Sequence, residues 1–158
     1  MGTLFDPQGR ISPAQFQESA LILIAIGAVV GMVPYFFPGA TMWTMISIVL
    51  LYPWVVIWIK RLHDAGKPGW IFVPILIVYL AISWTAAYFV GNYFAPQTGP
   101  TPTEFAAAME QASLRAETTA IPTVIVSVLI SVAFVFIANA LLKSDPGPNA
   151  YDPPDHMR

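Results

Sequence analysis

Cysteine is absent from this chain, which excludes disulfides, a cysteine-linked lipid anchor, thiol catalysis and thiolate metal sites. Charge is scarce as well. Asp, Glu, Lys and Arg make up 10% of the residues, against about a quarter in an ordinary soluble domain. Four stretches, 20–37, 41–59, 70–90 and 121–142, hold no Asp, Glu, Lys, Arg or His. With no ionisable residue inside them, nothing marks an ion or proton path of the kind a transporter carries. No nucleophile is paired with a base, and no glycine-rich phosphate cradle is present. His63 and Asp64 are adjacent but lack the third and fourth ligands a zinc site needs, and the other histidine, His156, stands in a Pro-rich tail. A net charge of −2 offers no basic patch for nucleic acid. No catalytic residue, metal or cofactor is therefore expected.

What remains is grease. Hydrophobic residues make up 56% of the 158 positions, and mean hydropathy is +0.65. Each charge-free stretch approaches the roughly 20 residues that a helix needs to cross a hydrocarbon layer of about 30 Å. The expectation is an all-α fold: an integral membrane four-helix bundle, one domain over 1–158, with a short amphipathic helix in the outer loop. The first 19 residues carry one basic group, Arg10, and no A-x-A cleavage pattern follows the long apolar run. An uncleaved first helix is expected rather than a signal peptide.

With four crossings, the start of the chain, the 60–69 loop and the end of the chain share one side. Six of the seven basic residues fall there: Arg10, Lys60, Arg61, Lys67, Lys143 and Arg158; Arg115 alone falls opposite. The bias of Lys and Arg toward the cytoplasm puts both ends inside. Trp43, Tyr88 and Tyr93 then suit the outer interface, and Trp58 and Trp70 the inner one.

Local signals fill in the frame. Residues 5–10 read as a turn, and Ser12-Pro13 as an N-cap with proline at the first helical position, leading through Phe16 into the first span. Small residues recur four apart at Gly27 and Gly31, at Ser83, Ala87 and Gly91, and at Ser127 and Ser131. Such faces let helix backbones approach closely, for internal packing or for a partner subunit. Pro53 removes a backbone hydrogen bond inside the second span. Opposite, residues 38–40 make a tight turn, while 95–103 read as an extended linker. Thr101-Pro102-Thr103-Glu104 has the form of a capping box, and Phe105, Met109, Ala112 and Ala116 follow at helical spacing. The prediction is an amphipathic helix over 102–117, lying on the outer membrane face or docked on a protein neighbour. Glu104, Glu110 and Glu117 against Arg115 make it acidic, which weakens attraction to anionic lipid.

The 60–70 loop is the most distinctive segment. Arg61-Leu62-His63-Asp64-Ala65-Gly66-Lys67-Pro68-Gly69-Trp70 resembles the R-x-H-D-x-G-x-x-G-W signature of the bacterial inner-membrane family known as domain of unknown function 805. Phe5 with Gly9-Arg10-Ile11-Ser12 and Phe16 is similar to that family's N-terminal element, and Gly147-Pro148-Asn149-Ala150-Tyr151 to its closing G-x-N-x-Y. The chain departs from the pattern at Gln17, at Asp152 and in its long outer loop. The resemblance implies a small four-helix inner-membrane protein and supplies no reaction.

All three elements fall on the cytoplasmic side, so Arg10, Arg61, His63, Asp64 and Asn149 are expected to converge. The structural reading pairs Arg61 with Asp64 three residues on, sets Lys60 and His63 at a helix C-terminus, and uses Gly66 and Gly69 to turn. The functional reading is an anion site, a phospholipid headgroup held by Arg10 and Arg61. Apolar walls and aromatics would also suit a quinone or pigment. Two functions follow from different classes: an accessory or scaffolding subunit bound to other integral membrane subunits, or a membrane-embedded binding module for a lipid or other small ligand at the cytoplasmic interface. The cysteine-free background makes orientation testable. Glu110→Cys should react with a membrane-impermeant maleimide in intact cells whose outer barrier is opened, and Lys67→Cys only after lysis; the reverse pattern inverts the topology.

Overall fold

Helix 1 begins where a capping box closes on itself. The Gln15 backbone N–H donates to Ser12 Oγ at 3.2 Å, and the Ser12 N–H donates back to Gln15 Oε1 at 3.3 Å. Pro13 takes the first helical position, where its missing N–H costs nothing. The computed structural model describes residues 6–36, 43–95 and 104–151. Phe5, the 38–40 turn, the proposed Thr101 cap, Asp152 and His156 lie outside them. The described residues are helix and loop, without a strand: α1 (Pro13–Phe36), α2 (Trp43–Asp64), a 3₁₀ turn (Gly69–Ile71), α3 (Phe72–Phe94) and α4 (Phe105–Leu141). Three segments, Pro13–Val33, Gly69–Phe94 and Phe105–Leu141, are long and apolar enough to cross a membrane. α2 runs through Pro53 and ends in the polar Lys60, Arg61, His63 and Asp64.

The outer amphipathic segment and the last apolar stretch form one continuous helix of 37 residues, about 55 Å at 1.5 Å per residue. Pro122 lies at their junction without ending the helix. The Thr118 and Thr119 hydroxyls donate back to the Leu114 and Arg115 carbonyls at 2.6 and 2.8 Å, one turn before it. The helix opens at Phe105 with Glu104 extended at the N-cap, later than the capping-box reading placed it.

α1 packs on α2 and on α4, while α3 lies along α4 and meets α2 near the 3₁₀ turn. The core gathers Ile11, Phe16, Ala20, Leu23 and Ile24 with Ile57, Trp58 and Leu62 and with Val135 and Leu142. These belong to the start of α1 and the ends of α2 and α4, so protein packs on protein chiefly at one end of the bundle. Trp58, expected at the inner interface, belongs instead to this core. Its ring meets Phe16 edge-on at 4.9 Å and approaches Phe134 at 6.0 Å, because its helix face points at α1. Trp70 is exposed. Away from the packed end, Val29, Val49, Trp84, Phe89 and Leu129 face outward, as side chains bathed in lipid do. A polar link ties α3 to α4 along this length, Tyr79 Oη to Ser131 Oγ at 2.9 Å.

The small-residue faces divide. Among the described residues, a Cβ added at Gly27, Gly31 or Gly91 would meet nothing within 4 Å, so none of those residues packs on the glycine face of α1. Ala87 and Gly91 border a groove toward α4. Phe105 and Met109 are exposed on the outward part of α4.

Candidate functional site

At the packed end three stretches of chain meet: 8–12, 61–71 and 142–151. Local chemistry explains how α2 delivers its share. Gly66 adopts φ +65°, its N–H donates to the His63 carbonyl at 3.0 Å, and the Lys67 N–H donates to the Leu62 carbonyl at 2.8 Å. These two bonds with a left-handed residue form a Schellman cap. A Cβ at Gly69 would press on Ile59 at 3.0 Å, so the returning chain can pass that closely only as glycine. Each of the two glycines therefore answers a distinct steric demand.

Arg61 is 1% exposed, among the most buried side chains in the described structure. Its Nη1 donates to Asp64 Oδ2 at 2.6 Å, its Nε to Asn139 Oδ1 at 2.5 Å, and its Nη2 to the carbonyls of Asn139, at 3.3 Å, and Leu142. Asp64 is the hub. Oδ2 also accepts from Ser144 Oγ at 2.5 Å, Oδ1 accepts from Arg10 Nε and Nη2 at 3.4 Å each, and the Asp64 carbonyl accepts from the Asp145 N–H at 2.8 Å. Arg10 reaches on to the carbonyls of Gly147, at 3.0 Å, and Asp145. Asn139 donates to the Pro13 carbonyl at 3.2 Å, tying α4 to the first turn of α1.

His63 faces the other side of the same junction. Its ring stacks on Tyr151 with centroids 3.9 Å apart and planes 2° from parallel. Its Nδ1–H donates to the Gly9 carbonyl at 3.3 Å, and Asn149 Nδ2 donates to the His63 carbonyl at 3.0 Å. Asn149 Oδ1 in turn accepts from the Tyr151 N–H at 2.9 Å, which sets the tyrosine over the imidazole. Burial pushes the His63 imidazole below its ordinary range, against a smaller upward pull from the Gly9 carbonyl.

Arg10, Arg61, His63, Asp64 and Asn149 thus come together as expected. Gly27 and Gly31 lie along α1, Ser83, Ala87 and Gly91 along α3, and Phe105 and Met109 on outward α4, all away from this junction. Sequence reasoning missed Asn139 and Ser144. The signal for Asn139 was visible: it is the single carboxamide in the 121–142 stretch. Among the described residues no buried side-chain N or O lacks a partner, and no group of three His, Cys, Asp or Glu is placed to hold a metal. An anion reaching Arg61 would have to displace Asp64.

The residues that build this junction lie within 4–153, the range matched by the model of the family described as Protein of unknown function (DUF805). The chain belongs to that family. No curated protein and no solved structure matches it. In this DUF805 member the Arg61-to-Gly69 run has a physical reading at five positions. Arg61 and Asp64 form the buried pair, His63 the stacking surface, Gly66 the left-handed cap and Gly69 the close approach.

Removing one partner of a buried pair leaves an uncompensated charge, at a cost of about 3–5 kcal/mol. Arg61→Met should lower unfolding free energy in detergent by that amount, read from denaturant titration; a loss within experimental scatter would show the network is ornamental. His63 supplies a pH signature. Because its folded pKa lies below the unfolded value of about 6.5, its contribution to stability is complete above that value and declines as pH falls through the folded one. The thermal midpoint should therefore fall between pH 7.5 and 5.5. His63→Phe, which keeps a ring on Tyr151 without titrating, should flatten that decline.

Proposed function

We propose that this protein is a non-enzymatic accessory or scaffolding subunit of a larger membrane-protein assembly in the bacterial inner membrane, with both chain ends in the cytoplasm. The observation that carries the reading is the open Gly27–Gly31 face of α1. Lipid gives helices no hydrophobic reason to associate, so close backbone approach over small residues is a principal means of joining subunits. Among the described residues nothing lies within 4 Å of a Cβ placed at either glycine, which leaves room for a neighbouring helix. The opposite treatment of polarity supports the same reading. Arg10, Arg61, His63 and Asp64 are engaged with one another and with backbone carbonyls, which favours a structural role over turnover.

The orientation draws support from the same junction. Arg10, the end of α2 and the 145–151 segment share one hydrogen-bond network. Helices that start and finish there alternate in direction, as an even number of crossings requires. The six-to-one imbalance of basic residues supports placing that end inside.

The test is purification of the full chain in mild detergent, followed by native mass spectrometry. The wild type should carry other integral membrane subunits in fixed ratio; a lone monomer overturns the proposal. Gly27→Leu with Gly31→Leu should leave a folded chain of unchanged thermal midpoint. Its association should weaken about tenfold or more, equivalent to about 1.4 kcal/mol. Unchanged association would remove the glycine face from the argument.

A further inference from the structure

A second site sits between α3 and α4, at the end of the bundle opposite the arginine junction. There the two helices border an open groove of about 350 Å³. The small residues Ala87, Gly91, Ala95 and Ala116 line it together with Tyr88, Asn92, Arg115 and Thr119. Small side chains leave space: among the described residues, a Cβ at Gly91 would meet nothing within 4 Å. The polar walls are held in place locally. Asn92 Nδ2 donates to the Tyr88 carbonyl at 3.0 Å, and the Thr119 hydroxyl to the Arg115 carbonyl at 2.8 Å.

The depth of this groove is set by helix geometry. About 20 residues cross the hydrocarbon. Counted from Phe72 on α3, the far edge falls near Gly91; counted back from Leu141 on α4, it falls near Pro122. Thr119 and Arg115 therefore stand within about two turns outside that edge, in the layer of lipid headgroups. Arg115 is the single basic residue on this side of the chain.

Charge on α4 is arranged around it. At about 100° per residue, Glu110 and Glu117 point roughly 140–160° away from Arg115. Glu104 shares its face but stands about three turns further out. Glu110 and Glu117 therefore stand on the opposite flank of the helix from Arg115. Deeper along α3 runs an apolar trough past Ala81, Thr85 and Phe89, at the level of acyl chains.

We infer that the α3–α4 groove binds an anionic phospholipid of the outer leaflet, its phosphodiester on Arg115 and its glycerol end over Gly91. A guanidinium matches a phosphate with paired N–H donors, and the groove has room for the headgroup because four of its eight lining residues are alanine or glycine. The site is separate from the glycine face of α1. Of the proposed function it uses only the orientation.

The experiment is native mass spectrometry of the full chain in detergent with added phosphatidylglycerol. The wild type should retain one lipid, and Arg115→Gln should reduce retention about tenfold, near what a lost charge-assisted hydrogen bond is worth. Gly91→Leu, which fills the groove without touching charge, should do the same. Glu110→Gln, on the opposite flank, should retain lipid as the wild type does. Equal retention by Arg115→Gln and wild type overturns the site. Equal retention of diacylglycerol reduces it to apolar adhesion and overturns it too. Displacement of the lipid by millimolar inorganic phosphate assigns the groove to a free anion and overturns the lipid. If Lys67→Cys labels from outside, the leaflet changes while the dependence on Arg115 stands, so a failure of orientation is distinguishable from a failure of the site.

Discussion

The buried ion pair of Arg61 and Asp64 organises the closed end of this bundle. A guanidinium with 1% exposure survives only if its donors are met in the right directions. Here the acceptors come from three places: a carboxylate one turn on, a carboxamide on α4, and the backbone carbonyls of Asn139 and Leu142 at the end of α4. Those requirements fix how α2 and α4 stand to one another, and Arg10 extends the same demand to the chain entering α1. Hydrophobic packing of Phe16 on Trp58 fills the space behind. In a medium where apolar burial does little to join helices, directional polar contacts specify the arrangement.

Much of this was legible in the chain itself. Stretches free of charge announce membrane helices because a single charge at mid-bilayer is costly. The i, i+3 spacing of Arg61 and Asp64 announces their pairing, and Gly66 after a polar helix end announces the cap. Other features were hidden for physical reasons. Asn139 and Ser144 join the network through distances of 78 and 80 residues or more along the chain, which no local pattern encodes. Trp58 reads as an interfacial aromatic because periodicity does not say which face meets a neighbour. The continuity of α4 was masked by the change in composition at 118–122, since amphipathic and apolar segments look like separate elements even where the backbone runs on. The bare glycines of α1 show the complementary lesson. A small-residue repeat states that close approach is permitted, and only the fold states whether the chain itself uses it.

The two ends of the molecule are consequently unlike. One is a closed polar lock, its groups satisfied by one another. The other presents apolar helix flanks, a groove between α3 and α4, and a helix that continues past the thickness of the hydrocarbon. Polar chemistry turned inward and apolar helix flanks turned outward accord with the role proposed above.

The last stretch of the lock, residues 142–151, leaves the ribosome after all four helices have been made. Until those residues arrive, Arg61 lacks the Leu142 carbonyl and the Ser144 hydroxyl that shares Asp64, Arg10 lacks two carbonyl acceptors, and the His63 ring has no tyrosine above it. A chain ending before residue 142 would therefore hold Arg10, Arg61 and His63 without the partners that this last stretch supplies.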